Sequence, residues 1–181
     1  MLAYFFLLKL GCQVNGLSLE PDSSNVLYNK LVNDKNFLSS KFYKKYKHFD
    51  CDIRNKDKFT NLILRIKPEF IFHLAAQPLV RESYKNPIST WETNVMGTIN
   101  LLNTIKDFKS CSIVVVTTDK VYENKSRNYC YRENDLLGGY DPYSSSKASV
   151  ELAFKSWRKS FFNNKIKIST ARAGNVIVGG D

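Results

Sequence analysis

Ile113-Val-Val-Val-Thr117 is apolar up to its last residue. A short β-branched run without polar alternation reads as a strand buried on both faces. Such strands occur in parallel sheets covered by helices. The pattern repeats on either side. Upstream, Phe70–Ala75 is a second continuous apolar run, and Pro87–Asp107 between the two reads as a long helix with proline in its first turn. Downstream, Tyr143–Asn163 reads as a helix with Val150, Phe154, Trp157 and Phe161 as its inward stripe, and Ile166–Ala173 as a final strand.

Toward the start, Asn55–Lys67 carries Phe59, Leu62, Ile63 and Ile66 at helical spacing, with Asn55 as N-cap and Pro68 at its end. His48–Ile53 reads as a short strand and Gln13–Leu19 as another. Met1–Leu10 reads as a buried helix stopped by Gly11. Two segments are polar connections: Asn25–Lys47, expected to hold one or two short helices, and Asn124–Pro142. Strands separated by helices pair in parallel through right-handed crossovers. The expected fold class is therefore α/β, a doubly wound, Rossmann-like parallel sheet, with residues 1–181 forming one partial domain.

Composition narrows the function. At 43% hydrophobic the chain is globular in character. The net charge of +10 is scattered, apart from a cluster at Lys41, Lys44, Lys45 and Lys47. No zinc-finger or RNA-binding motif accompanies it, so no nucleic-acid partner is expected. A basic surface suits an anionic substrate or cofactor. Cys12, Cys51, Cys111 and Cys130 form no Cys-x-x-Cys pair, and His48 and His73 complete no metal pattern. No metal is expected, and free thiols point to the cytoplasm. Met1–Leu10 carries Lys9, lacks a basic leader and a small-residue cleavage site, and is too short to cross a bilayer. No membrane association is expected.

In doubly wound sheets ligands sit beyond the carboxyl ends of the strands. Glu20, Asp52, Ala75-Ala76-Gln77, Thr117-Thr118-Asp119 and Gly174-Asn175 all follow predicted strands. Tyr143-Ser-Ser-Ser-Lys147 opens the helix after the fourth. Positions i and i+4 share a helix face, so the phenol and the ammonium can address one point. A nearby cation lowers a phenol pKa. Moving it from about 10 to about 7 takes roughly 4 kcal/mol, at about 1.36 per unit. Such a tyrosine exchanges a proton with a substrate hydroxyl, as oxidation of an alcohol to a ketone requires.

A dinucleotide-binding domain normally opens with a strand and a glycine-rich turn, followed about 20 residues later by a ribose-binding acid. Glu20 matches that acid. The strand and the glycine turn are therefore expected upstream of Met1, and a substrate-holding domain beyond Asp181.

Five stretches carry a family resemblance: His73-Leu-Ala-Ala-Gln-Pro-Leu-Val-Arg81, Trp91-Glu-Thr-Asn-Val-Met-Gly97, Thr117-Thr-Asp-Lys-Val-Tyr-Glu-Asn124, Gly138-Gly-Tyr-Asp-Pro-Tyr-Ser-Ser-Ser-Lys147 and Arg172-Ala-Gly-Asn-Val176. Through them the chain resembles the extended short-chain dehydrogenase/reductases that act on sugar nucleotides, and among these the CDP-glucose branch of the 4,6-dehydratases. The resemblance implies NAD as cofactor, CDP-glucose as substrate and a homodimer. It implies oxidation at C4 of the sugar, loss of water across C5–C6, and return of hydride to C6. It also implies the residue roles. Tyr143 takes the O4 proton, Lys147 assists it and holds the nicotinamide ribose, and Thr118 hydrogen-bonds near O4. Asp119 is the acid and Lys120 the base of the water loss, a role a lysine fills only in its neutral form. Glu20, Asp52, Ile53, Ala75, Ala76 and Thr117 contact the cofactor. Gln77, Arg81 and Asn175 contact the substrate, and Asn94 braces the site. His73 is expected to be a packed strand-end residue. A sugar-nucleotide 4-epimerase, or a non-catalytic module that binds a partner, is compatible with the same Tyr143 and Lys147.

Overall fold

The computed structural model describes residues 2–20, 43–125, 128, 130–162 and 164–175. They fall into two compact units, one ending at Asp52 and the other beginning at Ile53.

In the first unit, helix α1 (Leu2–Lys9) precedes strand β1 (Val14–Ser18), which pairs in parallel with β2 (Tyr46–Asp50). Gly11 ends the helix at φ +85°, in the left-handed region where a glycine carries no Cβ penalty. The Lys45 ammonium donates to its carbonyl at 2.9 Å. The second strand is shifted from the expected His48–Ile53. Of the expected 25–47 helices only the 3₁₀ turn Tyr43–Lys45 is described, and the rest lies outside the described residues.

The second unit holds a three-stranded parallel sheet in the order β3 (Phe70–His73), β4 (Cys111–Thr118), β5 (Ile166–Ala173). The α/β parallel reading stands, with the described strands divided between two sheets. Helix α2 (Lys56–Ile66) begins where the Asn55 side chain accepts from the Lys58 amide and ends at Lys67, in left-handed conformation before Pro68. Helix α3 (Val80–Lys85) was not foreseen. Pro87 then starts a continuous helical run. It comprises α4 (Pro87–Trp91), a π-helical turn (Glu92–Met96) and α5 (Gly97–Ile105). Helix α6 (Pro142–Ser160) packs on β4 and β5.

Leu101, Leu102, Ile105, Ile113, Val115, Val121 and Val150 form the buried centre of this unit. Gly97 belongs to it for a steric reason. A Cβ there would lie 2.7 Å from Ile53 Cγ2, so the helix approaches Ile53 only as glycine.

Three expectations are corrected. Met1–Leu10 reads as a buried helix, but of its described side chains only Leu8 is buried, while Phe6 and Leu10 are exposed. Strand β3 stops at His73, and Phe70 and Phe72 are 68% and 48% exposed. Apolar sequence predicted burial on both faces, but their side of the strand is uncovered. The inward stripe of α6 holds for Val150 and Phe154, whereas Trp157 is half-buried and Phe161 exposed. The helix ends there, and Trp157 and Phe161 pack on each other at 5.5 Å.

Candidate active site

The first turn of α6 sets Tyr143. Asp141 is the N-cap: its side chain accepts from the Ser144 amide at 2.9 Å and from the Ser144 hydroxyl at 2.6 Å. Pro142 has no amide hydrogen to satisfy. The Tyr143 amide donates to the Ser83 hydroxyl at 3.2 Å, and that hydroxyl donates to Val80 O at 2.7 Å. Gly139 passes so close to this turn that a Cβ would lie 2.3 Å from Ser144 Cβ. Ser83 and helix α3 thus position Tyr143. Only the fold joins these two sites, 60 residues apart in sequence.

Asn94 supplies the second constraint. Its Oδ1 accepts from the Gln77 amide at 2.8 Å, and its Nδ2 donates to Gln77 O at 3.2 Å and to the Ser146 hydroxyl at 2.9 Å. It sits on the π-helical turn, a local widening found often at functional sites. It joins the loop after β3 to the segment between Tyr143 and Lys147.

Tyr143 and Lys147 are both buried. Burial pushes the Tyr143 phenol above its usual range. Hydrogen bonding with Thr118 offsets this in part, and the charges of Asp119 and Asp141 add to it. Lys147 is not among these causes, so the expected lowering of the phenol by its neighbour is not seen in the unliganded chain. Desolvation dominates, and the nearby charges are negative. The Lys147 ammonium donates instead to Val116 O at 3.3 Å, and burial lowers it to about 8. Its charge is felt by His73, which burial and then Lys147 hold down at about 4. Thr98 donates its one hydroxyl hydrogen to Asn94 O at 2.6 Å, so in the 2.9 Å contact with Thr98 the His73 Nε2 is the donor. His73 is a packed neutral imidazole.

Strand β4 delivers Thr118 to the same place. Its hydroxyl donates to Asp119 Oδ1 at 3.0 Å and accepts from the Lys120 amide at 3.3 Å, capping the 3₁₀ turn Asp119–Val121. Asp119 and Lys120 are exposed. A Cβ on Gly174, past the end of β5, would lie 3.9 Å from Asp119 Oδ2. The ends of β4 and β5 and the start of α6 therefore converge on Thr118, Asp119 and Tyr143.

Other expected site residues are placed less openly. The Thr117 hydroxyl donates to Glu151 at 2.7 Å and is buried. Gln77 commits its side-chain amide to Leu79 O at 3.1 Å, Thr90 Oγ1 at 2.9 Å and the Leu79 amide at 2.6 Å, which holds its own loop. Ile53 is buried against Gly97. Ala75, Arg81 and Asn175 are exposed and Ala76 is half-buried. In the first unit, Glu20 and Asp52 each lie two residues past Ser18 and Asp50, the register partners that end β1 and β2. Among the described residues no group of three metal-ligating side chains occurs, and no helix is long and apolar enough to cross a membrane.

An NAD-type cofactor can be tested against this geometry. An ammonium carries three N–H donors, and among the described residues Lys147 uses one, on Val116 O. The unfilled donors suit a ribose diol. Ala75 is exposed and Ala76 half-buried just past the end of β3, and both side chains are small.

Comparison with known proteins agrees with this chemistry. The chain is 50% identical over 137 residues to a CDP-glucose 4,6-dehydratase of Salmonella typhimurium, covering 72% of this chain and 38% of that protein. It is 34% identical over 149 residues to a dTDP-D-glucose 4,6-dehydratase of Dictyostelium discoideum, covering 77% and 32%. The chain thus spans well under half the length of these relatives. The crystal structure of a UDP-glucuronic acid 4-epimerase from Bacillus cereus, in complex with UDP-glucuronic acid and NAD, superposes with a TM-score of 0.74 at 26% identity, covering 93% of this chain and 51% of that one. The profile described as GDP-mannose 4,6 dehydratase matches residues 2–175, nearly the whole chain, and the protein belongs to that family.

Proposed function

We propose that this chain is the cofactor-binding part of a sugar-nucleotide 4,6-dehydratase that converts CDP-glucose to its 4-keto-6-deoxy derivative. One observation carries the reading. Asp119 and Lys120, both exposed, follow directly on Thr118, and Thr118 and Asp119 both act on the Tyr143 phenol. An epimerase needs one acid–base centre, to oxidise and reduce a single carbon. Loss of water needs a further acid and a further base, and this turn supplies both.

Bound NAD supplies acceptance and return of hydride. Lys147 is the residue to hold its nicotinamide ribose, with Ala75 and Ala76 beside the dinucleotide and Glu20, Asp52 and Ile53 toward the adenosine. A carboxylate at the adenosine ribose favours NAD over NADP, because it repels a 2′-phosphate. Tyr143 takes the proton of the C4 hydroxyl as that carbon is oxidised, with Thr118 steadying the oxygen. The ketone so formed acidifies the hydrogen on C5. Lys120, acting in its neutral form, removes it, and Asp119, acting in its protonated form, gives its proton to the departing C6 hydroxyl, which leaves as water. With hydride returned to C6 from the bound cofactor and the proton held by Lys120 returned to C5, the oxidised cofactor is regenerated and the sum is loss of one water. Arg81 and Asn175, both exposed, are the substrate contacts, while Gln77 shapes the loop between them and the sheet.

A homodimer belongs to the same proposal. Its support is an apolar groove of about 340 Å³ lined by Pro87, Ile88, Trp91, Glu92, Val95 and Met96, in which Ile88 and Met96 are well exposed. Sedimentation of the full-length protein as a monomer would remove the dimer and leave the chemistry standing.

The activity test is incubation of the full-length protein containing these residues with CDP-glucose and NAD. The expected product is a keto sugar nucleotide that absorbs in strong alkali. Asp119→Asn and Lys120→Met should each lower its yield at least ~100-fold, the ordinary worth of a general acid or base. Formation of the C4 epimer of CDP-glucose without an alkali-absorbing product would overturn the reading.

A further inference from the structure

Glu151 stands one helical turn beyond Lys147 and two beyond Tyr143 on α6, and the chemistry above does not use it. It is buried, and each carboxylate oxygen accepts two hydrogen bonds. Oε1 receives the Thr117 hydroxyl at 2.7 Å and Arg172 Nε at 3.1 Å. Oε2 receives the Thr170 hydroxyl at 3.1 Å and Arg172 Nη2 at 3.2 Å. Burial alone would raise this carboxyl. The hydrogen bonds from Arg172 and Thr117, the Arg172 charge and the Thr170 hydroxyl together hold it below the usual range. Thr117 and Arg172 are register partners on β4 and β5, so one helix carboxylate binds the ends of both strands.

Arg172 continues the connection. Its Nη1 donates to the Tyr122 hydroxyl at 2.8 Å and to Glu133 O at 2.9 Å. Its guanidinium carbon lies 4.9 Å from the centre of the Tyr122 ring, which stacks on Tyr131 at 4.7 Å. Tyr122 is three residues past Asp119 and two past Lys120. The segment from Tyr122 onward is closed by Glu123 N to Leu136 O at 2.9 Å and Gly138 N to Val121 O at 2.8 Å. The planar fork of an arginine can serve a carboxylate on one side and two further acceptors on the other, and a single ammonium cannot.

We propose that Glu151 and Arg172 are positioning residues. They fix the turn carrying Asp119 and Lys120 against the helix carrying Tyr143 and Lys147, so that the acid–base pair for water loss and the pair for oxidation act on one sugar. The inference rests on the dehydratase reading for its catalytic consequence, but its structural content stands apart from it.

Arg172→Lys keeps a cation beside Glu151 and gives up Tyr122 and Glu133. Tyr122→Phe keeps both aromatic contacts and removes only the hydroxyl, and it serves where Arg172→Lys does not fold. In the full-length protein with CDP-glucose and NAD, Arg172→Lys should lower kcat about 100-fold, the usual cost of displacing a reacting group by about 1 Å. KM should stay within about twofold, since substrate binding is not the interaction removed. Reduced cofactor should accumulate, because Tyr143 and Lys147 still oxidise while Asp119 and Lys120 are misplaced. Independently of turnover, hydrogen exchange at the Glu123 and Gly138 amides should quicken about tenfold while the α6 amides do not change. Exchange at those two amides equal to wild type would overturn the proposal, as would equal loss of oxidation and water loss with no accumulated reduced cofactor. Should the wild type leave CDP-glucose untouched, the dehydratase reading falls, and the exchange result alone decides the clamp.

Discussion

Asn94, on the π-helical turn, donates from Nδ2 to the Ser146 hydroxyl at 2.9 Å and so reaches the helix segment that separates Tyr143 from Lys147. The same side chain makes both polar contacts of the Gln77 peptide. Truncation to Asn94→Ala leaves the Gln77 amide and carbonyl without their partner in the interior. A buried unmet group costs about 1–3 kcal/mol, so a loss of roughly 3 kcal/mol is expected in urea unfolding. A midpoint unchanged from wild type would show that Asn94 braces nothing.

Gly97→Ala brings a methyl within 2.7 Å of Ile53 Cγ2. Overpacking of this kind costs about 1–3 kcal/mol. Ile53→Ala should by itself destabilise through a cavity. Combined with Gly97→Ala it should cost less than the sum of the two single changes, because the new methyl enters vacated space. Strict additivity in a thermal-melt double-mutant cycle would mean that the contact is relieved some other way.

His73 is held neutral, with its pKa lowered from 6.5 to about 4, first by burial and then by Lys147. Between those values the unfolded chain binds the proton and the folded chain does not. Stability is therefore full above pH 6.5 and is lost as pH falls toward 4. His73→Gln should flatten this part of the profile while lowering stability at neutral pH. Urea titrations across the window check it, and an equally steep acid limb in the variant would assign the loss to other groups.

Lys147 gives a slope of the same sign at the other end. Burial lowers it from 10.5 to about 8, so between these values the unfolded chain again holds the extra proton. The unliganded protein should gain stability as pH rises from about 8, and Lys147→Met should not share the gain. The raised Tyr143 phenol acts in the opposite sense above its ordinary value of 10, so the comparison is cleanest below that point. A wild-type curve no steeper than that of Lys147→Met between pH 8 and 10 would contradict the burial of a charged ammonium.

What the sequence shows well is local. Strand β5 occupies the expected Ile166–Ala173, the helix at Pro87 starts at its proline, and Asn55 caps α2. Each rests on a pattern within a few residues. The grouping of Thr118, Asp119 and Tyr143 was legible too, because strand ends in a parallel sheet share one edge. Four features were not. The cap on Tyr143 comes from Ser83, and although Asn94 was expected to brace the site, its partners Ser146 and Gln77 were not, the first lying more than 50 residues away. Nothing local marks Glu151, because its three donor residues come from β4 and β5. Phe70 and Phe72 are apolar, but sequence does not say what covers them. The direction of the Tyr143 shift was misread for a related reason. Spacing placed a lysine nearby, but burial and two carboxylates outweigh it.

The closed first turn of α6 bears on how a diphosphate can be held. Helix starts commonly attract phosphate through open amides. Here Pro142 offers none, the Tyr143 amide is occupied by Ser83, and the Ser144 amide by the Asp141 carboxylate. An anionic ligand approaching this end meets a fixed negative charge where another helix would present a cradle. The first turn of α6 therefore offers an anion no open amide, and its acidic cap opposes one.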